Sequence, residues 1–327
     1  MINVRTDLAL EAKEIYQENH KKETDIDGIE VINETDNGIK ITTVKIKDEN
    51  GAKKLGKPKG NYVTIDIPEF TAYDSETMDK VSYVVAEILK RMINIDVDKT
   101  ALVVGLGNWK VTPDALGPKV TEGIMVTRHL KTVMPEIMDD SVRPVCSIAP
   151  GVLGITGVET VEIIKGAVEK IKPDVVICID ALAARRVERV NTTIQIGDTG
   201  ISPGAGVGNN RKKINEDNLG VKVIAIGVPT VVDAITIAND TIDMVIDSLM
   251  KNSLSGNDFY KMLNSLDKDE KITLIREALS SKALGEMIVT PKDIDLIINS
   301  LAKIISNAIN MAIQPNMDMD DINKFMN

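Results

Sequence analysis

The pattern of apolar and polar positions divides the chain into two parts near residue 75. Before that point, over residues 29–67, short β-rich runs alternate apolar with polar residues, and Asn37-Gly38 between two of them is typical of a hairpin turn. The segment KKLGKPKG, residues 53–60, combines basic residues with Gly and Pro, which predicts a solvated loop at a sheet edge. The N-terminal portion is therefore predicted to be a β-hairpin layer added to a larger core.

From about residue 75 onwards, short apolar runs alternate with amphipathic helices. The predicted strands are ALVVGLGN, PVCSIAP, DVVICID, TTIQIG and VKVIAIG, and the predicted helices are SETMDKVSYVVAEILKRMIN, one after Pro118, GVETVEIIKGAVEKI and VVDAITIANDTIDMVIDSLM. This alternation predicts an α/β fold with a mainly parallel twisted sheet and helices on both faces. The tail, residues 256–327, is predicted to form helices that pack on this core, with Pro291 near the start of the last helix.

Composition and charge narrow the class of protein. The 327 residues carry a formal net charge of -10, with 43% apolar content, 49 acidic residues and two His. Such a chain lacks the concentrated basic patch that binds nucleic-acid phosphates, so direct nucleic-acid binding is not expected. No signal peptide and no apolar run of about 18 residues is apparent, which predicts a cytoplasmic protein without membrane contact. Cys146 and Cys178 lie in apolar runs and are predicted to be buried free thiols.

With so few His residues, any hydrolytic chemistry rests on carboxylates, and two of these follow predicted strands. Asp180 ends the strand DVVICID, and Asp114 lies in the loop that leaves ALVVGLGN. Sites in open α/β sheets form at the carboxyl ends of strands, so the two side chains face one cleft if their strands are neighbours. Two carboxylates in a dry cleft can divide the acid and base roles. The alternative is structural, with Asp114 as a turn or N-cap residue and Asp180 as a strand-end cap.

Two glycine-containing segments are further candidates for ligand contacts. GLGNWK, residues 105–110, lacks the third glycine of a dinucleotide-binding fingerprint, because Lys110 stands in its place. The glycine-rich segment 196–213 can bring backbone N–H groups to a substrate or an oxyanion, or it can be a surface loop. Its candidate residues are Asp198, Gly204, Gly206 and Gly208. Arg185 can hold a substrate carboxylate or pair with a nearby acid, and the second is the safer interpretation for a single arginine.

The N-terminal stretch NVRTDLALEA, residues 3–12, has two interpretations. Thr6 or Asp7 can cap a helix that begins in the following residues, all of which favour helix. A capping box is absent, because Ala9 and Leu10 stand where the reciprocal Glu or Gln would be. On local chemistry alone, a helix start is the simpler interpretation.

Long motifs throughout the chain resemble the germination protease family of spore-forming bacteria. They are LVVGLGNWKVTPDALGPKV, SIAPGVLGITGVET, DVVICIDALAARRVERVNTTIQIGDTGISPGAGVGNNRK, GVPTVVDA and MIVTPKDID. The resemblance implies an endopeptidase, made as an inactive precursor, that digests small acid-soluble spore proteins during germination. It also implies a homotetramer in the cytoplasm of the developing spore and the spore core, and a fold similar to that of hydrogenase-maturation peptidases.

The same resemblance assigns roles to particular residues. The family's proposed catalytic pair is two aspartates 66 positions apart, which Asp114 and Asp180 match (180 − 114 = 66). The family cuts after the acidic residue in a pattern like Thr-Glu-(Phe/Ile)-Ala-Ser-Glu, which residues 6–11, Thr-Asp-Leu-Ala-Leu-Glu, resemble. We therefore predict self-cleavage between Asp7 and Leu8, with residues 1–7 as the propeptide and residues 8–327 as a single catalytic domain.

No metal and no cofactor are predicted, but two rival functions stay open. In a metal-dependent hydrolase, the same two aspartates would be ligands of a hard cation such as Mg²⁺ or Mn²⁺. In a peptide- or metal-binding chaperone, the cleft would bind without cutting.

Overall fold

The computed structural model describes residues 6–20, 26–67, 74–134, 136, 140–204, 212–252 and 287–326. Nine strands form one sheet in the order β1-β2-β3-β7-β8-β6-β4-β5, with β9 paired to β8. The strands are β1 (Ile29–Asp36), β2 (Ile39–Ile46), β3 (Gly60–Asp66), β4 (Ala101–Gly105), β5 (Val145–Ile148), β6 (Val175–Ala184), β7 (Thr193–Gly197), β8 (Lys222–Asp233) and β9 (Ile288–Val289).

Eleven helices lie in the described part of the chain. They are α1 (Ala9–Asn19), α2 (Glu49–Leu55), α3 (Ser75–Ile93), α4 (Leu116–Glu122), α5 (Arg128–Val133), α6 (Leu153–Thr156), α7 (Thr160–Ile171), α8 (Glu216–Leu219), α9 (Ala234–Asn252), α10 (Ile294–Ile313) and α11 (Met319–Met326). Short 3-10 turns at Thr112–Asp114 and Val187–Arg189 complete the fold. The predicted α/β class is confirmed.

The sheet has a parallel half and an antiparallel half. Strands β5, β4, β6 and β8 pair in parallel, and β4 is buried at every position because helices cover both faces of this half. Strand β7 enters antiparallel between β8 and β3 and starts the second half of the sheet. The parallel arrangement expected from the apolar runs therefore applies to these four strands, while the sheet as a whole is mixed.

The predicted β-hairpin is confirmed, and β3 joins it to the core. Asn37 (φ 50°) and Gly38 (φ 79°) form the turn between β1 and β2, in the left-handed conformation that a two-residue hairpin requires. The prediction of a loop over residues 53–60 is wrong at its start, because α2 continues to Leu55. Asp48 caps this helix by accepting a hydrogen bond from the Gly51 N–H (2.9 Å), and Gly56 ends it at φ 64°.

Helix α10 is the central helix of the larger apolar core. It packs on α3 and α4, and most of its residues are buried. Its length and hydropathy would allow it to cross a membrane, yet 72% of its most apolar window is covered by the rest of the fold, as expected for a core helix. Within the predicted helical tail, residues 287–326 begin with strand β9 and continue as α10 and α11, while residues 256–286 lie outside the described part.

Strand β6 is longer than the sequence predicted. It continues past Asp180 to Ala184, because β8 pairs with it along the whole length, with a register shift between Leu182 and Ala183. The neighbour on the other side, β4, ends at Gly105 opposite Ile179. Asp180 is therefore an internal residue of its strand and not the last one, and it lies where β6 loses its partner on one edge.

Candidate active site

A cavity of about 760 Å³ opens at the edge of the sheet where β4 ends and β6 continues. Asp114 and Asp180 both line it, so the predicted meeting of these two carboxylates in one cleft is what the structure shows. A third carboxylate, that of Asp7, lines the same cavity. Other lining residues relevant below are Lys57, Gly107, Gly154, Gln195 and Gly204.

Backbone contacts between β4, β6 and the start of α4 place the two aspartates. The chain leaving β4 stays beside β6, since the Leu106 N–H donates to the Ile179 carbonyl oxygen (2.8 Å). The first turn of α4 then packs on the residue that follows β4 and on the middle of β6. A Cβ on Gly117 would lie 2.3 Å from the Leu106 carbonyl oxygen and 2.6 Å from that of Ile179, so only glycine permits this approach. Asp114, just before α4, is thereby held next to β6.

The glycines of GLGNWK serve this same packing. Gly107 has φ +112°, and a Cβ there would lie 2.0 Å from the Asp114 carbonyl oxygen. The Asn108 N–H donates to that oxygen (3.0 Å) and closes the loop over residues 108–114. These glycines, which fail the dinucleotide-binding fingerprint, therefore shape a tight turn that carries Asp114.

Burial controls the protonation of the two aspartates. Asp180 is only 5% exposed, and burial, with smaller repulsion from Asp114 and Asp7, raises its pKa well above the ordinary value for Asp. Burial also raises the pKa of Asp114, to about 6. The pair therefore retains a proton to a higher pH than an ordinary aspartate would, and burial favours the protonated form most at Asp180.

The N-terminal segment enters the cavity as a short non-helical stretch that precedes α1. The Asp7 N–H donates to the Ala183 carbonyl oxygen (3.3 Å), and the Ala183 N–H donates to the Asp7 carboxylate (3.0 Å). Leu8, the next residue, is fully buried and directly precedes α1. The predicted helix begins at Ala9, but its N-cap is Leu8 without a side-chain cap, so the prediction that Thr6 or Asp7 caps it is wrong. Cleavage of the Asp7–Leu8 bond stays a prediction.

Glu11, the last residue of the substrate-like stretch, is held by the end of β6. Its carboxylate accepts hydrogen bonds from the N–H groups of Arg185 (2.7 Å) and Arg186 (2.9 Å), and Thr6 donates its hydroxyl to the same carboxylate. The Arg189 guanidinium lies 3.7 Å away. Glu11 is 1% exposed, so these partners replace the water that its charge has lost.

Two donors meet at the carbonyl oxygen of Asp7. Lys57 Nζ lies 2.9 Å from this oxygen, and Gln195 Nε2 lies 3.2 Å from it. Lys57 also donates to the Thr6 carbonyl oxygen (3.2 Å), and Gln195 Oε1 accepts from the Ala9 N–H (2.7 Å). The carbonyl group of the predicted scissile bond is therefore held from two sides.

The remaining predicted site residues lie in different places. Gly204 lines the cavity, whereas Gly206 and Gly208 lie outside the described residues. Asp198 accepts hydrogen bonds from the Asn61 N–H (2.8 Å) and side-chain amide (2.6 Å). One guanidinium nitrogen of Arg185, Nη1, donates to both carboxylate oxygens of Asp240 (2.8 and 2.9 Å). The backbone N–H of Arg185, and not its charge, therefore contacts the substrate-like stretch. Within the described ranges, no group of three or more His, Cys, Asp and Glu has the arrangement of a metal site.

The sequence interpretation missed Lys57, Gln195 and the Ala183 N–H, and it placed Glu11 in the substrate-like stretch without predicting its partners. Lys57 lies in the segment predicted to be a solvated loop, and Gln195 is a single polar residue in an apolar strand. The one available signal was the position of Gln195 between Ile194 and Ile196, which are both fully buried. A polar side chain in such a strand must find hydrogen-bond partners.

The chain is similar to known proteins along its whole length. A peptidase family model described as germination protease matches residues 9–263 and 247–326. A germination protease of Clostridium perfringens is 61% identical over 328 residues, and one of Clostridium tetani is 56% identical over 326 residues, with 100% of both chains covered in each case. Among solved structures, a NiFe hydrogenase maturation protease from Thermococcus kodakarensis is 19% identical, with 44% of this chain and 80% of that chain covered and a TM-score of 0.28.

Proposed function

The chain belongs to the germination protease family of spore proteases, and on that premise we propose that it is a self-processing endopeptidase made as a zymogen. It releases residues 1–7 by hydrolysing the Asp7–Leu8 bond. In its processed form it degrades small acid-soluble spore proteins during germination, cutting after Glu or Asp at sites like Thr-Glu-(Phe/Ile)-Ala-Ser-Glu. It works as a homotetramer in the cytoplasm of the developing spore and in the spore core.

One observation carries this proposal: the substrate-like stretch of the chain lies in the cavity that holds the aspartate pair. Asp7 lines the cavity, and its charge acts on Asp180. The acidic residues at both ends of the Asp7–Glu11 stretch are bound by backbone N–H groups of β6 and the residues that follow it. These contacts are those expected of a bound substrate whose acidic residues are recognised.

The unequal pKa values of the two aspartates support a division of roles. Asp114, with a pKa raised to about 6, is ionised at neutral pH and accepts a proton from the attacking water. Asp180, whose protonated form is favoured by burial, donates its proton to the leaving nitrogen of Leu8. No protein nucleophile is needed, because water attacks the carbonyl carbon directly.

The purified full-length chain is expected to acquire a new N-terminus at Leu8. Because the bond and the aspartates belong to the same chain, the release of residues 1–7 should be first order and independent of protein concentration. Intact-mass spectrometry over time at two concentrations about tenfold apart measures both quantities. A chain that binds a Thr-Glu-Ile-Ala-Ser-Glu peptide but never cuts it or itself would be a chaperone and not a protease.

The rate of self-cleavage is expected to rise with pH through about 6. Below this pH Asp114 is protonated, because its pKa is raised to about 6 by burial, and it cannot accept a proton from water. At higher pH the rate falls again, when Asp180 loses the proton it must donate. Intact mass followed at a series of pH values measures this profile. A rate that falls steadily between pH 5 and 7 would contradict the assignment of Asp114 as the base.

A further inference from the structure

The only side-chain donors to the Asp7 carbonyl oxygen that the described residues show are Lys57 and Gln195. We propose that these two residues form the oxyanion hole of the enzyme. Lys57 reaches the oxygen from the turn after α2, and Gln195 reaches it from the middle of β7. The inference rests on the proposed function, because it assigns a role at the bond that the proposed reaction breaks.

The geometry defines both donors. The Ala9 N–H can only donate, so the Gln195 atom it contacts at 2.7 Å is the amide oxygen. The amide nitrogen must then face the Asp7 carbonyl oxygen, at 3.2 Å. Lys57 Nζ has no acceptor function while charged, and at 2.9 Å it is within hydrogen-bond distance of the same oxygen.

The surroundings of Lys57 determine how strongly its charge acts on the Asp7 carbonyl oxygen. Burial lowers the pKa of Lys57, while the nearby carboxylates of Asp7 and Glu11 oppose this change. An ammonium group that is partly shielded from solvent stabilises a developing negative charge more than it would in bulk water. The Lys57 side chain also contacts the Thr6 carbonyl oxygen, which fixes its direction along the substrate backbone.

The reaction step is balanced with water as the only co-reactant. The water oxygen forms a bond to the carbonyl carbon of Asp7 while one of its protons moves to the Asp114 carboxylate. The π electrons of the carbonyl group move to its oxygen, and Lys57 and Gln195 stabilise this oxyanion. When the oxyanion collapses, the bond to the Leu8 nitrogen breaks, and this nitrogen takes the proton of Asp180. The products are a carboxyl group on Asp7 and an amino group on Leu8.

Both donors belong to the part of the chain that remains after cleavage. Residues 1–7 leave, whereas Lys57 and Gln195 stay in the cavity and are available to the carbonyl group of a substrate from another protein. The proposal therefore applies to self-cleavage and to the cleavage of substrate proteins alike.

Two variants of the full-length chain test the proposal. Lys57→Met keeps the length of the side chain and removes its donor. Gln195→Glu removes the Nε2 donor but keeps an oxygen to accept from the Ala9 N–H. Each is expected to slow release of residues 1–7 by about 10²- to 10³-fold, as for the loss of one oxyanion-hole donor.

Lys54→Met is the matched control. Lys54 lies at the end of the same helix and donates to the Asp27 carbonyl oxygen instead (3.1 Å). The Lys54→Met variant should therefore release residues 1–7 at the wild-type rate.

A second measurement separates catalysis from the positioning of the leader. In an Asp180→Asn background, which keeps the leader attached, hydrogen exchange of the peptide covering residues 6–12 reports whether the segment remains docked. Slow cleavage with unchanged protection supports the oxyanion hole, whereas slow cleavage with lost protection assigns the two residues to docking and overturns it. If the wild type cuts at Asp7–Leu8 and both variants cut at the same rate, the oxyanion-hole inference is wrong, whereas the proposed function still stands. A wild-type chain that never cuts at Asp7–Leu8 overturns the proposed function as well.

Discussion

Replacing Asp180 by Asn is expected to stop the release of residues 1–7, and Asp114→Asn should do the same. Asn can neither accept a proton from water nor donate one to a leaving amine, so each variant loses one half of the proton transfer. General acid or base groups contribute roughly 10²- to 10⁴-fold to a rate, and we expect a loss near the upper end because the two groups act together. Intact mass over time measures the loss directly.

The folded state should tolerate these substitutions. Burial raises the pKa of Asp180 well above its usual range, so the folded protein favours the protonated form of this side chain more than the unfolded chain does. Such a group destabilises the fold as pH rises above the ordinary pKa of Asp, because unfolding then allows it to ionise. Asn has nearly the same shape and no such dependence. The thermal midpoint of Asp180→Asn at pH 7 is therefore expected to equal or exceed that of the wild type.

Chelation distinguishes the aspartate pair from a metal site. If Asp114 and Asp180 were metal ligands, both Asn variants would also be inactive, so the substitutions alone cannot separate the two mechanisms. Leader removal by the wild-type chain should proceed unchanged after exhaustive chelation. Activity that disappears on chelation and returns with Mg²⁺ or Mn²⁺ would replace the acid–base assignment by metal-assisted hydrolysis.

The periodicity of the sequence predicted most of the core because burial on both faces leaves a clear local pattern. Strands such as β4 and β6 are runs of apolar residues, and α3 shows its apolar stripe. The antiparallel half could not be predicted from β7 alone, since its direction depends on pairing with β3 and β8. The true end of β6 was also hidden, because ALAA after Asp180 favours helix locally and becomes a strand only by pairing with β8.

The two aspartates of the site could be predicted, because each follows an apolar run in the sequence. The site residues that come from distant segments of the chain could not be predicted. Asp114 and Asp180 line one cavity because β4 and β6 are parallel neighbours, which is the condition that the sequence interpretation set. Lys57 lies in a polar segment of the sequence, for which a solvated surface is the usual place. Its contact with Asp7 joins residues 50 positions apart, and Glu11 finds its partners at Arg185 and Arg186, more than 170 positions away. No local pattern contains that information.

A methyl group at residue 107 is expected to disable the site without touching a titratable group. Gly107 has φ +112°, and the Cβ of Gly107→Ala would lie 2.0 Å from the Asp114 carbonyl oxygen and 3.1 Å from its carboxylate. The first atom is backbone, so the loop must move and carry Asp114 away from Asp180. Displacing a catalytic group by about 1 Å can cost on the order of 10²-fold in rate, and the strained backbone costs about 1–3 kcal/mol of stability.

Gly154→Ala is the matched control for this prediction. Gly154 lines the same cavity, lies within α6, and has no atom within 4 Å of where a Cβ would be. Alanine there should leave the rate of leader release unchanged and raise stability slightly, since alanine favours helix more than glycine does. Intact-mass kinetics and thermal unfolding of the two variants, side by side, separate the geometric effect from the added methyl group. Full activity in Gly107→Ala would mean that catalysis does not depend on the position in which this turn holds Asp114.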